Sequence, residues 1–242
     1  MNRKKPFTVV ILQPAYLPWL GYFDQMFKSD AFVVYDDVQF DKHGWRNRNR
    51  IKTAHGWQWL TVPVLTKGRN KQSNKEVLIN NNENWPKKHL ASLKQNYSTA
   101  PFFHEYFSVL AAVYAKEWKF LIDLDAAFLN EVMRILGLER PVYYASDLGI
   151  HGGPTDRLIS LCKHFGATRF LEGDAGKAYI EESRFHASDI ELKYHGYRHP
   201  VYGQRYGSFV PYMSVIDLLF NQGPKSLEIL VDVSGDASLE VT

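Results

Sequence analysis

The chain has 242 residues, 45% of them hydrophobic, and a formal net charge of only +3, so it supports one α/β domain of residues 1–242 and argues against a general nucleic-acid surface. Its one cysteine excludes an intramolecular disulfide framework, and neither the cysteine nor the histidine spacing predicts a metal site. The single cysteine suits a reducing cytoplasm, which is the expected location, and no apolar run is long enough to span a bilayer, so we expect no membrane insertion.

Two apolar runs near the N-terminus predict neighbouring parallel strands. Residues 9–12 and 31–35 are continuously apolar, as in strands that are buried on both faces, and residues 20–28 between them predict a crossover helix. A right-handed βαβ unit places the polar groups that follow both strands at the same edge of the sheet. Open α/β sheets bind their ligands at this carboxyl edge.

The loop after the first strand is the first candidate binding segment. Prolines hold such a loop rigid, and the amides that open the next helix can face an anion. A buried amide at a strand end must also find partners, which singles out Gln13. The alternative for the aromatic residues is that they fill the top of the core. The predicted substrate-binding residues here are Gln13, Tyr16, Trp19, Gly21 and Tyr22.

Two adjacent carboxylates follow the second strand. Asp36 and Asp37 cannot both point into a core without charge compensation, and they stand at the expected ligand-binding edge. They could hold magnesium, act as a base or accept hydrogen bonds from sugar hydroxyls. The alternative is an ion pair with the arginines that follow, or capping of a turn. We predict both as catalytic residues.

A run of alternating basic residues comes next. In an extended segment, Arg46, Arg48 and Arg50 share one face, and three guanidinium groups on one face suit phosphate or carboxylate. A solvated edge strand is the alternative for one or two of them. With the neighbouring Asn47 and Lys52, they are predicted to bind substrate.

The remaining elements alternate strands with helices. A strand is predicted over residues 57–64 and a polar loop over 67–74, and residues 80–140 are predicted as a helical insertion or subdomain. Predicted helices cover 104–115, 120–136, 154–165 and 215–221, the last capped by Ser214, and predicted strands cover 142–145, 169–171 and 190–194.

Two glycine-containing loops follow later strands. The first opens a helix and offers glycine amides and the positive helix end to an anion, with His151 as a catalytic candidate. The second carries Lys177, which could reach a phosphate. Neither loop has the Lys-Ser/Thr pattern of a Walker motif. The remaining substrate-binding candidates are Gly152, Thr155, Gly173, Gly176, Lys177 and Tyr179.

Four motifs together resemble the WbqC-like protein family. They are QPAYLPWLGYF at 13–23, DDVQF at 36–40, NRNRIK at 47–52 and FVPYMSVIDLLFN at 209–221. They occur in the family's order, and the match covers nearly the whole chain. Members of this family are found in bacterial gene clusters for O-antigen and other surface polysaccharides, and a glycine-transferring role on the glycan has been proposed for one branch.

A more remote similarity concerns residues 18–22. They are similar to the Pro-x-His-x-Gly-His turn of adenylate-forming and nucleotidyl-transferring α/β enzymes, with Trp19 and Tyr22 in place of both histidines. This similarity implies a Rossmann-like, nucleotidyltransferase-type core, a mostly parallel sheet with flanking helices, and a cleft for a nucleotide. The missing histidines argue against nucleotidyl transfer itself.

These resemblances imply a transferase of surface-glycan biosynthesis that moves an aminoacyl or related acyl group onto a nucleotide-linked sugar. One alternative is an adenylate-forming ligase that uses ATP and magnesium. A second is a non-catalytic protein that binds a nucleotide-sugar or acts as a scaffold. The implied partners are a nucleotide or nucleotide-sugar and, as open alternatives, a second copy of the chain or glycan-assembly enzymes. The cofactor is left open, with magnesium bound alongside a nucleotide as the candidate.

Overall fold

The computed structural model of the protein describes residues 5–69 and 71–231. Its centre is a five-stranded parallel sheet with the strand order β5-β2-β1-β6-β7, beside a separate antiparallel hairpin of β3 and β4. The strands are β1 (Thr8–Leu12), β2 (Ala31–Val34), β3 (Arg48–Thr53), β4 (Gly56–Thr61), β5 (Val142–Tyr144), β6 (Arg169–Glu172) and β7 (Glu191–Tyr194).

The connectivity of the large sheet is Rossmann-like. Numbered along the chain among themselves, its strands stand in the order 3-2-1-4-5, which is that of the doubly wound nucleotide-binding folds. The first strand pairs with β2 on one side, where Val9 lies opposite Ala31, and with β6 on the other, where Val9 lies opposite Phe170. The chain therefore changes direction across the sheet between β1 and β6, and the predicted fold class is confirmed.

Each helix that was predicted with bounds matches a helix of the structure within one residue at either end, whereas the short helices at 182–186 and 226–230 were not predicted. The helix between the first two strands, α1 (Leu20–Phe27), is one residue shorter than predicted, and α7 begins after Ser214, whose side chain accepts a hydrogen bond from the Ile216 amide as predicted. The others are α2 (Trp85–Tyr97), α3 (Phe103–Tyr114), α4 (Leu121–Leu136), α5 (Pro154–His164), α6 (Glu182–His186), α7 (Val215–Gln222) and α8 (Ser226–Leu230). No helix within the described ranges is long and apolar enough to cross a membrane.

The two faces of the sheet bury different helices. Val10 and Phe32 pack with residues of α1, α2, α3, α4 and α7, whereas Val9 and Ile11 pack with α5 and α6. Alternate side chains of a strand point to opposite faces, so the continuous apolar run of β1 serves both layers. The helices at 85–136 share their apolar core with the sheet, and their description as an insertion stays a prediction.

The hairpin departs from the prediction at one end. The predicted strand 57–64 stops at Thr61, because Pro63 has no amide hydrogen for a ladder. The predicted extended face begins only at Arg48, so Arg46 and Asn47 precede the strand. Arg50 lies opposite Trp59 and Lys52 opposite Trp57, which sets basic and aromatic side chains on one face.

Candidate functional site

The carboxyl edge of the sheet collects polar groups around the direction change between β1 and β6. Gln13 follows β1, Asp36 and Asp37 follow β2, and Glu172 is the last residue of β6. Arg46 reaches over this edge, where its Nη1 donates to the backbone oxygens of Gln13 at 3.4 Å and Pro14 at 3.2 Å. Ligands of open α/β folds bind at this position, so these side chains define the candidate site.

Both predicted catalytic aspartates have structural partners. Asp36 is buried and accepts hydrogen bonds from the backbone amide of Ser146 at 3.0 Å and from its hydroxyl at 2.6 Å. Asp37 is paired with Arg157 of α5 at 2.5 Å. Its counter-charge thus comes from a distant helix and not from the arginines that follow it. The Oδ1 atom of Asp37 has no hydrogen-bond partner among the described residues.

The ion pair of Asp37 and Arg157 is expected to stabilise the folded protein. Arg157 also donates to the Ile150 oxygen at 2.7 Å and lies 4.8 Å from the centre of the Tyr35 ring. Arg157→Ala should lower the free energy of unfolding by about 2–3 kcal/mol, because it leaves a largely buried carboxylate without its cation. Adding Asp37→Asn should restore part of that loss, as measured by urea unfolding in a double-mutant cycle.

The control for this cycle is Arg134→Ala. Arg134 pairs with Glu131 at 2.9 Å on an exposed face of α4, so its removal should cost below about 1 kcal/mol. If the losses in the free energy of unfolding from Asp37→Asn and Arg157→Ala simply added in the double variant, the two side chains would not be coupled.

Glu172 is a strongly perturbed carboxyl group at the sheet edge. Glu172 is 6% exposed, and this burial raises the pKa of its carboxyl group to about 7. A hydrogen bond from the Gly173 amide at 2.9 Å lowers the pKa and so offsets part of the shift. Gly176 lies directly over it, and a Cβ atom at that position would come 2.3 Å from Cγ of Glu172. A carboxyl group with a pKa near neutrality can accept and return a proton at physiological pH.

The guanidinium of Arg46 is a second desolvated group at this edge. Burial lowers the pKa of Arg46, and the Tyr22, Asp41 and Asp125 side chains oppose that shift. Its Nε atom has no hydrogen-bond partner within the described residues. Arg46 therefore holds an enclosed donor without a partner, in surroundings where a bond to an anionic group would be strong.

Asp125 of α4 faces the same region. It is buried, and neither carboxylate oxygen has a hydrogen-bond partner in the described part of the chain. Burial raises its pKa well above the usual value, and Arg46 partly offsets this. It lines a cavity of about 10 Å³ with Tyr22 and Tyr144, which is room for about one water molecule.

The predicted site residues of the two glycine loops differ in their partners and in their exposure at this edge. Lys177 pairs with Asp174 at 2.6 Å, so its ammonium group has a partner within its own loop. The Thr155 hydroxyl accepts from the Glu181 amide at 3.4 Å, and His151 is exposed. Tyr179 is over half exposed, and its pKa is raised to about 12 by burial of its hydroxyl and by Glu172, while Arg46 opposes the shift. Gly152 and Gly173 flank α5 and β6 as predicted.

Several predicted binding residues instead have the contacts of core residues. Tyr16 is fully buried, and its hydroxyl is hydrogen-bonded to Tyr114 and to Nδ1 of His89. The Trp19 indole packs over Gly21, which leaves no room there for a larger residue, and it contacts the rings of Tyr197 and Tyr212.

Two polar residues of the basic run are also enclosed. Asn47 donates to the Val62 oxygen at 2.8 Å, and the buried Lys52 donates to the Ser208 oxygen and to Gln204. Tyr22 of α1 is also buried, against Phe32.

The carboxyl edge of the sheet therefore brings together Gln13, Asp37, Arg46 and Tyr179, but not Tyr16, Asn47 or Lys52.

The sequence did not single out Glu172, Arg157 or Asp125. A signal existed for Glu172, because it directly follows the predicted strand 169–171 and precedes a glycine, just as Asp36 directly follows the predicted strand 31–35. Arg157 and Asp125 lie on helices, where only the tertiary fold shows what they face. A magnesium ion at Asp36 and Asp37 would compete with Ser146 and Arg157, so these two residues do not offer a free carboxylate pair.

Comparison with known proteins relates the chain to one family. The WbqC-like protein family matches residues 13–229. The uncharacterized protein Rv1507c of Mycobacterium tuberculosis is 40% identical over 226 residues, which are 92% of this chain and 96% of that protein. No solved structure matches the chain. The chain therefore belongs to the WbqC-like protein family.

Proposed function

We propose that the protein is a transferase of bacterial surface-glycan biosynthesis that moves an aminoacyl or related acyl group onto a nucleotide-linked sugar. The observation that carries the proposal is Glu172, a buried carboxyl group with a pKa of about 7 at the end of β6. It stands where the strand order reverses, which is where doubly wound folds bind nucleotides. Family membership supports the pathway.

The residues of the edge suit the steps of such a transfer. Glu172 takes the proton from a hydroxyl or amino group of the sugar as that atom bonds to the acyl carbon. The bond from the acyl carbon to its carrier breaks, and the carrier receives the proton from Glu172. The guanidinium of Arg46 stabilises the negative charge on the acyl oxygen or on a neighbouring phosphate. Tyr179 and Gln13 supply hydroxyl and amide groups that orient the sugar.

Nucleotide-sugar binding is the first test. The melting temperature should rise with one class of UDP- or dTDP-sugar, because a ligand at about one hundred times its dissociation constant stabilises by roughly 2.7 kcal/mol. Arg46→Met should weaken this shift, whereas Arg134→Met, which changes an exposed arginine of α4, should not. Absence of any shift with these sugars would contradict the proposal.

An adenylate-forming ligase is the second candidate. The observation in its favour is that the turn from Pro18 to Tyr22 opens α1 directly after β1, as in the nucleotidyl-transferring enzymes it is similar to. A melting shift with ATP and magnesium, but with no nucleotide-sugar, would support it. Catalysis would then require groups other than the two histidines that Trp19 and Tyr22 replace.

A further inference from the structure

The exposed face of the hairpin carries three tryptophans and two arginines at close range. Trp57 and Trp59 come from β4 and Trp45 precedes β3; the ring centres of Trp45 and Trp59 are 4.9 Å apart, and those of Trp57 and Trp59 are 5.6 Å apart. Trp45 is 37% exposed and Trp57 is 45% exposed. Indoles at such exposure form a patch that folding alone does not require.

The arginines stack on these indoles. The guanidinium carbon of Arg48 lies 4.6 Å from the Trp59 ring centre, and that of Arg50 lies 4.8 Å from Trp45 and 5.0 Å from Trp57. Each guanidinium group therefore lies within cation–π distance of an indole ring. Arg50 also donates from Nη2 to the Tyr212 oxygen at 3.2 Å, and its enclosed Nε atom has no hydrogen-bond partner among the described residues.

A polar cleft adjoins this face. Its volume is about 460 Å³, within the range of small-molecule sites. It is lined by Gln39, Phe40, Asp41, Lys42, His43, Thr66, Arg69 and Gln72. Arg48 joins the cleft to the hairpin, because its guanidinium donates to the His43 oxygen at 2.5 Å and to the Gly44 oxygen at 3.1 Å.

The charges of the combined surface favour an anion. Lys42 and Arg69 line the cleft, Arg48 and Arg50 line the hairpin face, and Asp41 is the one acidic residue among the lining residues. The cleft is also lined by Gln39, Thr66 and Gln72, which are polar side chains of the kind that bond sugar hydroxyl groups. Single-stranded nucleic acid is less well suited, because guanidinium groups already cover indole faces on which bases would stack.

We propose that the β3–β4 hairpin face and the adjoining cleft bind an acidic oligosaccharide. The guanidinium groups pair with its carboxylates, the polar side chains of the cleft bond its hydroxyls, and the exposed parts of Trp45 and Trp57 pack against its sugar rings. This surface uses residues other than those of the sheet edge, so its test does not depend on the transferase proposal. The occupant is a glycan chain, separate from the nucleotide-linked sugar.

Tryptophan fluorescence and calorimetry test this proposal. The probes are tetragalacturonate, a sialic acid tetramer, uncharged maltotetraose and an oligothymidylate of matched charge. We expect saturable binding of at least one acidic tetramer that weakens with salt, and at least tenfold weaker binding of maltotetraose and oligothymidylate. Tighter binding of the oligothymidylate would make the surface a nucleic-acid site, and absence of millimolar binding by both acidic tetramers would overturn the proposal.

Variants of the hairpin residues test whether these residues bind the oligosaccharide. Arg50→Ala and Trp57→Ala should each weaken the acidic tetramer at least tenfold, and Arg50→Lys should recover only part of it, because lysine lacks the planar fork. Arg134→Ala is the control for loss of an exposed arginine. Far-ultraviolet circular dichroism checks that the variants are folded. Wild-type affinity in folded Arg50→Ala and Trp57→Ala would contradict the assignment.

Discussion

Replacing Glu172 with glutamine is expected to abolish most turnover while the nucleotide-sugar still binds. Loss of a positioned general base lowers the rate by about 10²- to 10⁴-fold, and glutamine keeps the size of the side chain without accepting a proton. Turnover of the wild-type protein should rise with pH through about 7, where Glu172 ionises. The measurement is the initial rate of acyl transfer, with Glu117→Gln, an exposed residue, as the matched control.

The same substitution should affect stability in a pH-dependent way. The pKa of Glu172 is raised from its usual 4.5 to about 7 in the folded protein, so the folded state binds more protons than the unfolded state between these values. Wild-type stability therefore falls as pH rises through this window. Relative to the wild type, Glu172→Gln should gain up to about 3 kcal/mol by pH 8 and little at pH 4.

Urea unfolding at both pH values measures that difference. An equal change in stability at pH 4 and pH 8 would mean that Glu172 titrates normally in the folded protein. A variant that loses both turnover and nucleotide-sugar binding would indicate a structural role and not a proton-transfer role.

Replacing Asp217 with alanine is expected to be the most destabilising single change. This carboxylate of α7 is fully buried and accepts hydrogen bonds from the Tyr97 hydroxyl at 2.7 Å, the Tyr202 hydroxyl at 2.8 Å and the Gln204 amide at 2.8 Å. The Tyr97 hydroxyl in turn accepts from the Lys52 amide at 2.8 Å. The network therefore joins α2, α7 and the hairpin.

Asp217→Ala leaves the two tyrosine hydroxyls without an acceptor, removes one of the acceptors of the Gln204 amide and opens a cavity. The expected loss is about 3–5 kcal/mol, because each buried group left unbonded costs about 1–3 kcal/mol. Thermal unfolding should show a melting temperature lower by roughly 6–15 °C. Asp217→Asn, which retains one acceptor oxygen, should lose less stability. The control Asp123→Ala changes an exposed residue of α4 and should lower the free energy of unfolding by less than about 1 kcal/mol. A loss below 1 kcal/mol for Asp217→Ala would contradict this account of the network.

The sheet was predictable because its signals are local. The apolar runs at 9–12 and 31–35 mark strands buried on both faces, and residues 20–28 between them form the crossover helix with a one-residue error. Side-chain period, caps and glycine termini operate within a few residues, so they can be read from the chain.

The site was less predictable because its chemistry depends on what each group faces. Asp37 was identified from its position after a strand, but its counter-ion Arg157 lies 120 residues further along the chain. Tyr16 and Lys52 belong to the same motifs as the partly exposed Gln13 and Arg48, and only packing shows that they are enclosed. Glu172 has an unusual pKa because neighbouring elements bury it, and no local pattern encodes that burial.

The pKa of Glu172 is the measurement that tests the central claim most directly. Carbon-detected NMR of protein labelled with ¹³C-glutamate follows each carboxyl group through a pH titration, and the resonance absent from Glu172→Gln identifies this one. The account predicts a midpoint at about 7 that shifts when a nucleotide-sugar binds. A midpoint near 4.5, unchanged by every nucleotide-sugar, would show that Glu172 is an ordinary carboxylate and that the sheet edge does not carry the proposed proton transfer.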